Sequence, residues 1–170
     1  FEAARAKALR IVDAVAALEP VDYPAAGDPR NDAIRRFYGT RRNELASDIA
    51  ATPAYRWVRE NSNGACGQTG HGPAHSVSLS YLNCRSIQTE TEAALHLIGE
   101  SVHHFDVRND AFTALLAITV GRAWNRVLGQ APDALARRLL FEQARSFTSA
   151  LRLQLTSEEL SLSRALTDDD

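Results

Sequence analysis

A mainly α fold with a small β element, of the α+β class, is what this chain of 170 residues predicts. Three observations predict it. Apolar residues recur at helical spacing in five segments, at about 3–18, 31–51, 90–105, 110–128 and 134–155. Ser76 to Leu82 alternates serine with Val77, Leu79 and Tyr81 and is the clearest strand in the chain. Proline and glycine cluster between these segments, where turns are needed.

The first helix spans Ala3 to Leu18, with Leu9, Val12, Val15 and Ala16 in register, and stops before Pro20. Val21 to Arg30, with Pro24, Gly27 and Pro29, reads as a connecting loop. Asn31 or Asp32 caps a second helix running to about Ala51, with Ile34, Phe37, Tyr38, Leu45 and Ile49 on its apolar side. Arg35, Arg36, Arg41 and Arg42 form a charged run on that helix, read as a solvated face, with an anion patch as the alternative. Pro53 restarts the chain into a short piece with Tyr55, Trp57 and Val58, expected as one or two helical turns. Asn61 to Ala74 reads as a glycine-rich loop, and without a GxxxxGK[ST] pattern it is no phosphate cradle. His71 and His75 stand at its end.

Thr89 followed by Glu92 is a capping box, so a third helix starts at about Glu90. Leu95, Leu97, Ile98 and Val102 spread over one side of it, while His96, Glu100 and His103 share a narrow arc opposite, flanked by His104. Imidazoles and a carboxylate on one arc are zinc-type ligands. A turn at 106–109 leads to a very apolar helix, Asp110 to Leu128, expected to pack on the third through Phe112, Leu116 and Val120. Gly129 and Pro132 punctuate the chain before a helix from Ala134 to Leu155, and Thr156 caps a short final helix ahead of an acidic tail.

Composition narrows the function. One domain covering 1–170 can enclose a core. A net charge of −2 gives no footprint for nucleic acid or an anionic membrane, and no apolar run approaches a membrane span. The chain begins with Phe1 and contains no methionine, which we read as a processed or trimmed product. Cys66 and Cys84 bracket a loop and a strand without CxxC spacing. They are expected to form one disulfide, with two buried thiols as the alternative, and a bridge implies a secreted or periplasmic protein.

The run Leu97-Ile98-Gly99-Glu100 with His103-His104-Phe105, and Phe112 beyond, resembles the active-site helix of bacterial zincin-like metallopeptidases of the HExxH type. There the run reads roughly L-I-H-E-x-x-H-H-F-G, followed by an acidic turn and another helix. The sequence departs from it at Gly99, where the first histidine ligand would stand, and at Asp106 and Asn109. The resemblance implies a helical domain with a small β element preceding the active-site-like helix. It also implies zinc on His103 with help from His96 or His104, a catalytic Glu100, and a peptide or protein substrate along the preceding strand. A further ligand would come from Asp106, Asp110, His71 or His75. Two functions follow: a secreted metal-dependent hydrolase with an altered metal site, or a non-catalytic secreted binding or structural protein that keeps the fold without zinc.

Overall fold

The computed structural model describes residues 2–18, 29–52, 54–61, 66–71, 75–80, 82, 84, 87, 89–107 and 110–130. The expected helices beyond Pro132 and the loop of residues 21–28 lie outside these residues. The elements are α1 (Glu2–Ala14), α2 (Pro29–Ala51), β1 (Ala54–Val58), β2 (Gly67–His71), β3 (His75–Ser80), α3 (Glu90–Val102), a 3-10 turn (His103–Phe105) and α4 (Asp110–Val127). The fold is mainly helical with one small sheet, as the apolar periodicities predict.

α3 is the centre. Its start is set by the Thr89 capping box: Thr89 Oγ1 accepts from Glu92 N, and Glu92 Oε2 accepts from Thr89 N. Leu95, Leu97, Ile98 and Val102 are fully buried, and so are Ala93, Ala94 and Ser101 on other sides of the helix. The helix therefore has no solvated face of the kind its arc of imidazoles suggests. α1, α2, α4 and the sheet all pack against it. Phe37 of α2 meets Phe105 and Phe112 edge to face, at 6.0 and 5.6 Å between ring centroids.

Side chains lock α1 to α2. The Tyr38 hydroxyl donates to Val15 O at 2.9 Å, and burial holds that phenol well above its ordinary range, so it remains a donor. Arg5 Nε donates to Ile49 O at 3.1 Å and its Nη2 to Ala50 O, which serves carbonyls that the end of α2 leaves without helical partners.

The sheet has the order β1-β3-β2, with β1 parallel and β2 antiparallel to β3. Val77 and Leu79 of β3 point into the core, as their alternation predicts. Two expectations are corrected. The piece after Pro53 is a strand, because Tyr55, Trp57 and Val58 favour extended backbone and β3 offers a ladder. The glycine-rich loop contains β2, whose weak strand propensity is overridden by pairing with β3. A Cβ on Gly67 would meet the Glu100 carboxylate, so any larger residue there requires that side chain to move. A disulfide joins Cys66, just before β2, to Cys84, just after β3.

If α3 is the buried axis of the fold, a charge at its centre is not tolerated. Ile98→Asp should lower stability by on the order of 4 kcal/mol, because the carboxylate finds no partner there. Urea unfolding of parent and variant checks this, and a shift below about 1 kcal/mol would contradict the packing.

Candidate metal centre

The end of α3 places two imidazoles differently. After Val102 the helix tightens into the 3-10 turn His103–Phe105, and Asp106 ends it in the left-handed region at φ 60° and ψ 15°. Asp is among the few residues that adopt this conformation at modest cost. The reversal brings Val107 O to His103, whose Nδ1–H donates to it at 2.6 Å. His104 instead points toward α2.

There it meets Asp48. His104 Nδ1 lies 2.6 Å from Asp48 Oδ2, and His75 Nδ1 lies 2.8 Å from Asp48 Oδ1. The two rings stack, with centroids 4.1 Å apart and planes at 26°. An ionised carboxylate only accepts, so each Nδ1 carries the proton in this arrangement. Burial raises the Asp48 carboxyl, but the hydrogen bonds from His104 and His75, and then their charges, outweigh it and hold the group below its ordinary range. The His104 side chain is 1% exposed, that of Asp48 14% and that of His75 43%. The group is thus closed at His104 and open to solvent at His75.

One ligand atom from each of Asp48, His75 and His104 lies within 4.8 Å of the others, and this is the one such group of three among the described residues. Tetrahedral zinc with bonds near 2.1 Å sets its ligand atoms roughly 3.4 Å apart. The two hydrogen-bonded contacts, at 2.8 and 2.6 Å, would have to open by roughly 0.6 and 0.8 Å, and each Nδ1 would have to give up its proton before it could ligate.

The residues singled out in the sequence fall into two places. His104 and His75 join the centre. His96 is buried within α3, with Nδ1 3.9 Å from Cys66 Sγ. Glu100 lies under β2, where Thr69 Oγ1 donates to its Oε2 at 2.7 Å. His103 is engaged with Val107 O. Asp106 forms the left-handed turn, and the side chains of His71 and Asp110 lie outside the described residues, although His71 is the cross-strand partner of His75. At Gly99 an added Cβ would face Ala117 Cβ and Thr113 O of α4, both at 3.5 Å, so a histidine there would start toward α4. The residue that sequence reading missed is Asp48. It sits four positions after Glu44 on a charged helix, and nothing local distinguishes the two carboxylates.

Compared with protein-family models, curated proteins and solved structures, the chain matches none.

His96 gives a test of its own burial. Desolvation lowers its pKa to about 4, against about 6.5 in the unfolded chain. Above pH 6.5 neither state takes the proton. Between pH 6.5 and 4 the unfolded state takes it and the folded state does not, so stability falls as pH falls, by about 3 kcal/mol across that window. Between pH 7 and 5 His96→Leu should lose about 2 kcal/mol less than the parent, read from urea midpoints. An equal loss in both would place His96 in contact with water.

Proposed function

We propose that this protein binds one divalent transition-metal ion through Asp48, His75 and His104 and uses it as a hydrolytic centre. The observation that carries the proposal is the convergence of two imidazole nitrogens on the two oxygens of one carboxylate. Two nitrogens and an oxygen suit zinc, and three protein ligands leave one position for water, the pattern of catalytic rather than structural zinc sites. His75, the exposed member, would be where solvent reaches such an ion. Zinc there would lower the pKa of bound water toward about 7 and supply hydroxide near neutral pH.

This reading keeps a zincin-like hydrolase function and moves the metal from the arc of His96, Glu100 and His103 to His104 and two residues from other elements. His96 and Glu100 are engaged within the core and beneath β2. The disulfide supports export to an oxidising compartment, secreted or periplasmic. Among the described residues no helix is long and apolar enough to cross a membrane.

A second reading has its own observation. Both Nδ1–H groups already have an acceptor in Asp48, so the three residues also serve as a metal-free clasp joining α2, β3 and the 3-10 turn. In that case the protein is the non-catalytic binding or structural alternative.

Zinc titration by calorimetry, with metal analysis of the purified protein, decides between them. The first reading expects one equivalent bound, loss of binding in His104→Ala, and hydrolysis of an activated ester only by the zinc-loaded parent. A parent that binds no added zinc, and that His104→Ala merely destabilises, would leave the clasp as the function of the cluster.

A further inference from the structure

A second set of ligand-type side chains converges away from Asp48. Cys66 and Cys84 form the disulfide, and His96 Nδ1 stands 3.9 Å from Cys66 Sγ. The three side chains come from separate segments: the start of β2, the chain after β3, and the middle of α3. His96 is only 9% exposed, and its Nε2 has no hydrogen-bond partner among the described residues. Its neighbours Leu95 and Leu97 are apolar and fully buried. Packing alone does not ask for an imidazole here, since a buried polar atom without a partner is destabilising and a leucine would avoid that.

We infer that Cys66, Cys84 and His96 form a redox-gated zinc site, closed while the disulfide stands and opened by its reduction. An external dithiol supplies two electrons and two protons, the bond between the sulfurs breaks, and the dithiol leaves as its own disulfide. Cys66 and Cys84 are then thiols. Zinc binding releases both thiol protons to solvent and forms two bonds to sulfur, and the Nδ1 lone pair of neutral His96 forms the third. Two cysteines and one histidine are an established zinc donor set, with water in the fourth position. Two thiolates cancel the charge of the ion, so the filled site is neutral, as a buried location requires.

The surroundings suit the change. The sulfurs must part to roughly 3.8 Å to share one ion. Cys84 is buried but Cys66 is partly exposed, which gives reductant and metal a way in. When Nδ1 coordinates, Nε2 keeps the proton. His96 also lines a cavity of about 30 Å³ with Gly99, Glu100 and Thr113. That is room for at least one water beside the imidazole.

Cobalt(II) titration of the full chain tests this. The protein is reduced with a dithiol, desalted without oxygen, and compared with the oxidised protein. The reduced chain should bind one more equivalent than the oxidised chain, with thiolate-to-cobalt absorption in the near ultraviolet that zinc removes. His96→Gln should weaken that binding at least tenfold. The result is independent of the Asp48 centre, whose failure would appear as no metal on the oxidised chain. A reduced, folded chain without the thiolate absorption would overturn the site, as would cobalt binding only after helical circular dichroism is lost. If His96→Gln does not fold, X-ray absorption at the zinc edge of the reduced parent decides: two sulfurs with at least one imidazole nitrogen are expected, and a shell without both overturns the proposal.

Discussion

Burial of α3 all round from Glu92 to Gly99 is the constraint on which the rest of the structure depends. A helix enclosed by α1, α2, α4 and the sheet must be apolar around its whole circumference or satisfy each polar group internally. Leu95, Leu97, Ile98 and Val102 meet the first condition, and burying each contributes about 1.5–3 kcal/mol. Glu92 meets the second through the capping box, worth about 1 kcal/mol. Burial therefore dominates, and the cap decides where the buried segment begins. The same enclosure decides which polar side chains can reach other elements. Within α3, His96 meets the core and the disulfide, and Glu100 meets β2. Beyond Val102 the 3-10 turn leaves the enclosure, and His104 reaches another element.

The Asp48 cluster is stable because its members relieve one another. A half-buried carboxylate would otherwise lose solvation without compensation, and two stacked imidazoles would repel if both were charged. Setting one carboxylate oxygen against each Nδ1 answers both problems. Its position is also held from behind. Arg5 fastens the carbonyls of Ile49 and Ala50, one and two residues after Asp48, and Tyr38 fastens the same helix to Val15. The carboxylate is therefore presented from a helix that is itself held in place.

Much of the fold is legible in the sequence because its signals are local. Thr89 and Glu92 place the start of α3, Val77 and Leu79 place the core face of β3, and the bracketing positions of Cys66 and Cys84 fit one bridge. What is not legible depends on partners far along the chain. β1 is five residues long and becomes a strand by lying parallel to β3, about twenty residues later. β2 contains two glycines, and its pairing comes from the hairpin rather than from propensity. At the site, His75 and His104 stand out as imidazoles, while Asp48 resembles any helix carboxylate until folding brings it across 56 residues to His104. The arc of His96, Glu100 and His103 is real as a helical projection. It does not reveal burial, because periodicity shows which side chains share a face and not what covers that face.

Gly67 explains why Glu100 stays with the sheet. The absent Cβ lets the carboxylate lie against the backbone of β2, where Thr69 donates to it. Cys66 directly precedes that glycine, and the strand ends at His71, opposite His75. One hairpin thus carries the disulfide at its open end, the contact with Glu100 along its first strand, and a metal-type ligand at the start of its second. The disulfide limits how far β2 and β3 can separate at one end, and the Asp48–His75–His104 cluster fixes β3 to α2 and the 3-10 turn at the other. Two chemically different centres restrain the same strand from opposite ends, with α3 as the rigid body between them.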